Sequence, residues 1–323
     1  MNAARVLLSA CLLSLSATAI AAAAQAYPSR PIRAIVPFPP GGPTDVIARL
    51  VGQKLSESFG QQVVVDNRSG AGGNIGMGIA AQAAPDGHTL IFVSSSFVAN
   101  PSLYRNAPYD PFKSFAPVSN VAASPHAFFA HPSQPVKTMA DLVAQVRAAS
   151  GKYSMATPGM GTTPDLSAHL LKLDAKLQLV LVPYAGGGPS LAAVLGNQVP
   201  FGCQAIPPVT AHLKAGRLRG LALTSARRSA VLPDVPTMAE AGFKGHEAET
   251  MTALLVPAGT PPAIVNKLHA EVARIMKLPD VRDRVIELGY NIHASTPQAF
   301  AAQIRAEVEK WGKVVRAANI QVN

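Results

Sequence analysis

The sequence predicts an α/β protein of two lobes joined by a hinge, with a cleft between them. Three observations carry this. Short apolar runs alternate with helical periods along most of the chain, the signature of strands interleaved with helices. The stretch from 261 to the end is helical and charge-rich, with too few strands to fold alone, so it is expected to pack back on the first strands. Four strand-to-helix turns, rich in Gly, Pro and hydroxyl residues, fall two in each half of this scheme. Open α/β sheets hold their ligands at such places, at the carboxyl ends of strands. The chain is expected to divide into an export segment, 1–26, a discontinuous lobe, 27–125 plus 247–323, and a second lobe, 126–246. Two chain crossings would then form the hinge.

Each element has a local reason. Arg5 supplies the positive start of a secretory signal peptide, residues 6–20 its apolar core, and Ala24-Gln25-Ala26 the small-x-small cleavage site. Leu8-Ser9-Ala10-Cys11 offers a lipid-attachment alternative, but the apolar run continues past Cys11, which favours cleavage after Ala26. A periplasmic location is expected, and with Cys203 the one cysteine left, no internal disulfide can form. Strands are expected at 31–38, 62–67, 89–95, 116–121, 127–131, 152–156, 179–184, 199–203, 218–224 and 252–256. Helices are expected at 44–59, 74–84, 139–149, 164–173, 190–195, 207–215, 261–277, 279–288 and 297–318. Thr138, Thr163, Thr260 and Thr296 stand where N-caps belong, and the last three each precede a proline. Residues 177–213 contain no Asp, Glu, Lys or Arg, yet Pro183, Pro189, Pro200, Pro207 and Pro208 break any membrane-spanning helix there.

Composition removes several function classes. The 323 residues are 48% hydrophobic and 14% charged, which excludes disorder. The net charge of +10 is scattered, and only Arg227-Arg228 and Arg217 with Arg219 lie close together. A nucleic-acid surface would cluster its cations with aromatic residues, so a solvated basic surface is the better reading. A weaker one is long-range attraction of anions. No G-x-S-x-G elbow, Walker A or H-E-x-x-H occurs, and no His/Cys/Asp/Glu spacing suits a metal. No cofactor or metal is expected. His126, His131 and His246 read as structural or surface histidines, and Cys203, ending an apolar strand, as a buried thiol. Gly76, Gly78 and Ala81 satisfy G-x-G-x-x-A, but the repeat falls inside the expected helix, where a tight turn and close packing explain it better than a nucleotide.

The four turns carry the chemistry. They are Phe38-Pro39-Pro40-Gly41-Gly42-Pro43-Thr44-Asp45; Ser94-Ser95-Ser96, with Asn100-Pro101 beyond; Thr157-Pro158-Gly159-Met160-Gly161-Thr162-Thr163; and Tyr184-Ala185-Gly186-Gly187-Gly188-Pro189-Ser190. Helix N-termini at these turns would present unpaired N–H groups and a positive dipole end, which suit an anion. None of the four contains Lys or Arg, so an anion here would be held by backbone amides, hydroxyls and water. Asp45 reads as a cap of its helix rather than a ligand contact.

These motifs become specific in combination. Tyr27-Pro28-Ser29-Arg30-Pro31-Ile32 followed by VPFPPGGPTD, Asp66-Asn67-Arg68 with GAGGNIG, Ala84-Pro85-Asp86-Gly87, Tyr109-Asp110-Pro111, Val182-Pro183-Tyr184 with its glycines, Lys214-Ala215-Gly216-Arg217-Leu218-Arg219, Leu232-Pro233-Asp234-Val235-Pro236-Thr237, Glu240-Ala241-Gly242 and Pro257-Ala258-Gly259-Thr260-Pro261 occur in this order. The chain thereby resembles the Bug family, the extracytoplasmic solute receptors of tripartite tricarboxylate transporters. The resemblance spans the whole chain after residue 26. It implies a two-lobed periplasmic binding protein, type II-like, that closes on a small carboxylate. It implies that the turn 39–45 holds the carboxylate, with Gly41, Gly42, Thr44 and Asp45 as its main contacts. By the same likeness Ser94, Ser95 and Ser96 form a second loop, and Gly161, Thr162, Tyr184, Gly186 and Gly187 face them from the other lobe, with Phe38, Pro39 and Thr157 alongside.

The chain departs from the resemblance in two places. Gln204-Ala205 stands where relatives often carry Asp-Asn, and Met160 where they often carry a polar residue. Gln204 is therefore expected in the cleft, and the two changes favour a carboxylate with an apolar, aromatic or dicarboxylic body over an amino acid. The partners implied are the ligand and the membrane subunits of a transporter, with a monomeric receptor and no nucleic acid. The alternatives are a receptor presenting its ligand to a sensor kinase and a secreted enzyme using Cys203 or a cleft histidine.

Overall fold

The computed structural model describes residues 27–149 and 151–322. The expected signal peptide, the Cys11 site and the Ala26 cleavage point lie outside the described residues, apart from Tyr27 itself. β1 (Ile32–Val36), β2 (Val63–Asn67) and β3 (Thr89–Ser94) alternate with α1 (Pro43–Phe59), α2 (Asn74–Ala81) and α3 (Ser96–Leu103). β4 (Phe115–Ala130) leads into α4 (Met139–Ala148), β5 (Ser154–Thr157), α5 (Thr163–Asp174), β6 (Val180–Pro183), α6 (Gly187–Leu195), β7 (Phe201–Ala205), α7 (Ile206–Lys214) and β8 (Arg219–Leu223). β9 (Glu249–Pro257) then precedes α8 (Pro262–Ile275), α9 (Pro279–Glu287), β10 (Asn291–Ile292) and α10 (Pro297–Ala317).

The strands run in the order β2-β1-β3-β9-β4-β7-β5-β6, with β10 and β8 also on β4. Two parallel groups, β2-β1-β3 and β7-β5-β6, are joined through antiparallel β9 and β4. The α8 and α10 helices return to the first group: Leu268 and Val272 share a core with Ile47, Val51 and Phe92, and Phe300 and Trp311 share one with Ile91 and Phe97.

β4 corrects the two strands expected at 116–121 and 127–131. It is one 16-residue strand that changes partners in mid-course. Phe115 to Pro125 pair with β9, and from His126 onward the strand pairs with β7 and β8. Bulges between Pro117 and Ser119 and between Asn120 and Ala122 absorb the irregular sequence, so Pro117 and Pro125 interrupt the pattern without ending the strand. Pro125 sits at the change of partner, where its missing N–H wastes no ladder bond. Helix α3 is also hidden in the sequence, because Pro101 lies inside it and it spans only eight residues. Packing of Phe97, Val98 and Leu103 against the α10 core sustains it. Thr138 and Thr296 do cap α4 and α10. Thr163 instead lies inside α5, whose N-cap is Thr162, and the Thr260 hydroxyl bonds the Pro257 carbonyl while Pro261 caps α8. Gly76 packs against Pro37 and the Arg68 carbonyl, which a Cβ would strike at 2.7 and 2.8 Å; this is tight packing.

The two passages between the strand groups are tied together. Thr224 bonds the backbone of both His126 and Ala248. His126 is fully buried, with Nδ1 3.1 Å from Ser167 Oγ and Nε2 3.0 Å from Thr250 Oγ1. Ser167 donates its proton to the Thr163 carbonyl, so it accepts from His126 Nδ1–H, and Thr250 donates to Nε2. The ring is thus a neutral link between α5 and β9. Burial, aided by nearby Lys310, lowers its pKa from 6.5 to about 3. In the unfolded chain the same ring takes up a proton near 6.5. Between these values the unfolded state binds more protons, so stability rises with pH and is lost as pH falls from 6.5 towards 3. From pH 7 to 5 this group alone should remove on the order of 2 kcal/mol of unfolding free energy. Urea denaturation at the two pH values measures the loss, and a His126→Gln variant should show a flatter dependence.

Candidate functional site

The first and third turns are built alike. In the first, α1 opens at Pro43 with Gly42 as N-cap and no side-chain cap bond. Asp45, in the first turn of α1, reaches back to accept from Gly41 N–H at 2.8 Å. The same carboxylate accepts from Arg49 Nε at 2.8 Å and from Asn67 Nδ2 at 2.9 Å. Burial alone would raise the Asp45 carboxyl, but these bonds together hold it below its ordinary value. In the third turn, Asp165 accepts from Gly161 N–H at 2.9 Å and from Thr157 Oγ1 at 2.7 Å. Here burial wins and the carboxyl is raised, with the two hydrogen bonds and His169 opposing it. Asp45 is therefore a brace for its turn, tying it to the end of β2, rather than an N-cap.

The second and fourth turns are anchored differently. Ser94 and Ser96 hydroxyls lie 3.1 Å apart across the start of α3, while Ser95 bonds the Glu249 carbonyl and the Met251 N–H of β9. Tyr184 N–H and Gly186 N–H bond the carbonyls of Thr157 and Pro158, which locks the fourth turn to the third. α6 begins at Gly187 with no side-chain cap.

A cavity of about 700 Å³ lies where these turns meet, within the usual size for a small-molecule site. Of the residues expected at the site, Phe38, Gly41, Ser94, Ser96, Gly161, Thr162, Gly187 and Gln204 line it. The side chains of the others are not among its lining. The Thr44 and Asp45 side chains are buried, Ser95 faces β9, and Thr157 is spent on Asp165. Pro39 is exposed, and Gly42 and Gly186 are half-buried and not part of the lining. The Tyr184 ring packs on the cluster around Val194. Cys203 is buried among Phe128, Met155 and Phe201, and burial pushes its thiol well up.

Tertiary packing adds walls that no local pattern announces. Leu103 and Tyr104 close one side, Leu288 and Tyr290 another, and Thr250 and Val322 reach in from β9 and the C-terminal tail. Gly72, inside the glycine run, also lines the cavity, with φ +63 and Tyr104 Oη 2.7 Å from where a Cβ would stand. Asn100 lines it too, bonded to Gly72 and Asn74. The lining contains no Lys, Arg, His, Asp or Glu among the described residues. The two strand groups touch beside the cavity: a Cβ on Gly161 would fall 2.7 Å from Leu103 Cδ1. Leu166 of α5 joins the core of Phe97 and Trp311. Among the described residues no group of three or more His, Cys, Asp or Glu could hold a metal, and no helix is long and apolar enough to cross a membrane.

Residues 47–320 match the family described as the tripartite tricarboxylate transporter family receptor. The protein BugT of Bordetella pertussis is 37% identical over 295 residues, covering 91% of this chain and 90% of that protein. The solved periplasmic binding protein BugD is 33% identical, with a TM-score of 0.77, over 92% of this chain and all of that one. Rpa4515 of R. palustris, solved with adipate, is 34% identical, with a TM-score of 0.81, over the same shares. The fold is that of a two-lobed periplasmic binding protein, and the relatives are solute-binding receptors rather than enzymes. With paired glycine turns around a cleft and matches along nearly its whole length, the chain belongs to the tripartite tricarboxylate transporter receptor family.

Proposed function

We propose that this protein captures a small carboxylate with an apolar body in the cleft between lobes 27–125 plus 247–323 and 126–246. It then delivers this ligand to the membrane subunits of a tripartite tricarboxylate-type transporter. The observation that carries the reading is the uncharged cavity into which three helices without side-chain caps, α1, α5 and α6, present their first turns. Their free N–H groups and positive dipole ends suit an anion, and the paired hydroxyls of Ser94 and Ser96 leave one O–H to donate, while the Thr162 hydroxyl is spent on the Gly159 carbonyl. Phe38, Val46, Leu103, Met160 and Leu288 offer an apolar wall. The adipate held by a relative of similar fold supports a carboxylate. The protein would work outside the cytoplasmic membrane, as its periplasmic relatives do, with 1–26 as the export signal. No feature of the site favours a sensor kinase as partner.

The carboxylate would dock on the β1–α1 turn first, and the α5 and α6 turns would close over it, leaving ordered water as bridges. Protein spanning residues 27–323, unfolded and refolded to strip carried ligand, tests this by thermal shift against mono- and dicarboxylates, aromatic acids and amino acids. At a ligand concentration about 100-fold above Kd the native state gains roughly 2.7 kcal/mol, a shift of several degrees. A flat response to every carboxylate would overturn the reading.

A further inference from the structure

Among the described residues, Gln204 is the one side chain lining the cavity that carries buried polar atoms without a partner. It stands on β7, is 2% exposed, and neither Nε2 nor Oε1 has a hydrogen-bond partner. It lines the cavity, against the uncapped first turn of α6: a Cβ built on Gly187 would lie 3.1 Å from Nε2 and 3.5 Å from Oε1. Exchanging the two amide atoms changes nothing, because both are unpartnered. A buried polar group without a partner costs about 1–3 kcal/mol, so this amide is held ready for something that enters the cavity.

We infer that Gln204 reads the second polar group of the ligand, and that this group is uncharged and both donates and accepts hydrogen bonds. The ligand class is then a carboxylate with an apolar body and a hydroxyl or carboxamide at its other end. The inference rests on the proposal that the cavity takes a carboxylate. An amide offers a donor and an acceptor side by side, and a carboxamide satisfies both in one paired contact while a hydroxyl can serve either. A second carboxylate could accept from Nε2 but would set its lone pairs against Oε1. It would also bring a second negative charge into a lining with no cation. An ammonium group would satisfy Oε1 alone and meet the positive end of α6. An unsubstituted apolar end would leave both amide atoms without a partner.

Isothermal titration with two matched series tests this. One is hexanoate, 6-hydroxyhexanoate, adipamate and adipate; the other is benzoate, 4-hydroxybenzoate, 4-carbamoylbenzoate and benzene-1,4-dicarboxylate. In at least one series the hydroxy or carbamoyl member should bind about tenfold or more tighter than both the unsubstituted acid and the diacid. Gln204→Leu, similar in size, should melt no lower than the wild type and erase that preference, and Gln204→Glu should gain affinity for 6-aminohexanoate over the wild type. Diacids or unsubstituted acids that bind as tightly in both series, or a Gln204→Leu variant that keeps the ranking, would overturn the inference and leave the carboxylate reading standing. Failure of every probe to bind would overturn the carboxylate reading, and the inference with it.

Discussion

Gly161→Ala should weaken ligand binding about 10- to 100-fold. Two effects combine. Gly161 sits at φ +74, in the left-handed region, where a Cβ costs roughly 1–2 kcal/mol. The new methyl would also stand 2.7 Å from Leu103 Cδ1 across the cleft. Leu103 is buried in the α3 core and has little room to turn, and overpacking of this kind costs about 1–3 kcal/mol. The unliganded protein can escape the clash by opening, so the second effect appears in binding rather than in unfolding. Gly41 is the control. Its φ is +77, its N–H is held by Asp45 as that of Gly161 is held by Asp165, and no atom lies within 4 Å of the place a methyl would take. Urea unfolding should therefore give similar losses for Gly41→Ala and Gly161→Ala. Calorimetric titration should show partial recovery of affinity when Leu103→Ala is added to Gly161→Ala. Wild-type affinity in Gly161→Ala would mean that the contact with Leu103 plays no part in closure.

Asp165→Ala should lower the unfolding free energy by about 3 kcal/mol. The substitution strands the Thr157 hydroxyl and the Gly161 N–H, and each buried group without a partner costs about 1–3 kcal/mol. Part of this is offset, because the carboxylate is itself unfavourable where it lies, as its raised pKa indicates. Asp165→Asn should lose less, since an amide oxygen still accepts one bond and carries no charge. Asp45→Ala should lose less than Asp165→Ala, because its ion pair with half-exposed Arg49 adds little. Urea denaturation at pH 7 ranks the three. An Asp165→Ala protein within about 0.5 kcal/mol of wild type would remove the brace from the account.

Much of this architecture is legible in the chain because its signals are short-range. The β-branched run of β1, the Thr138 capping box and the glycine turns declare themselves within a few residues. What turns on longer range is not legible. Two proline-broken segments become the single strand β4, because two different partners supply its ladder, β9 on one stretch and β7 with β8 on the other. The helix α3 holds despite Pro101 because Phe97 and Leu103 find a core that includes Trp311.

The site divides in the same way. Backbone conformation and composition at a turn are local properties. The residues alone therefore place glycine, proline and hydroxyl groups at helix N-termini without a cation among them. Which of those residues face the cavity is settled by tertiary packing. Neighbouring positions on one turn point to opposite sides, so Gly41 lines the cavity while Asp45 braces from beneath, and Ser94 and Ser96 line it while Ser95 binds β9. The walls at Leu103, Leu288, Tyr290 and Val322 come from distant parts of the chain. Their meeting is set by how whole helices pack, a balance of many weak contacts that no short stretch of sequence contains.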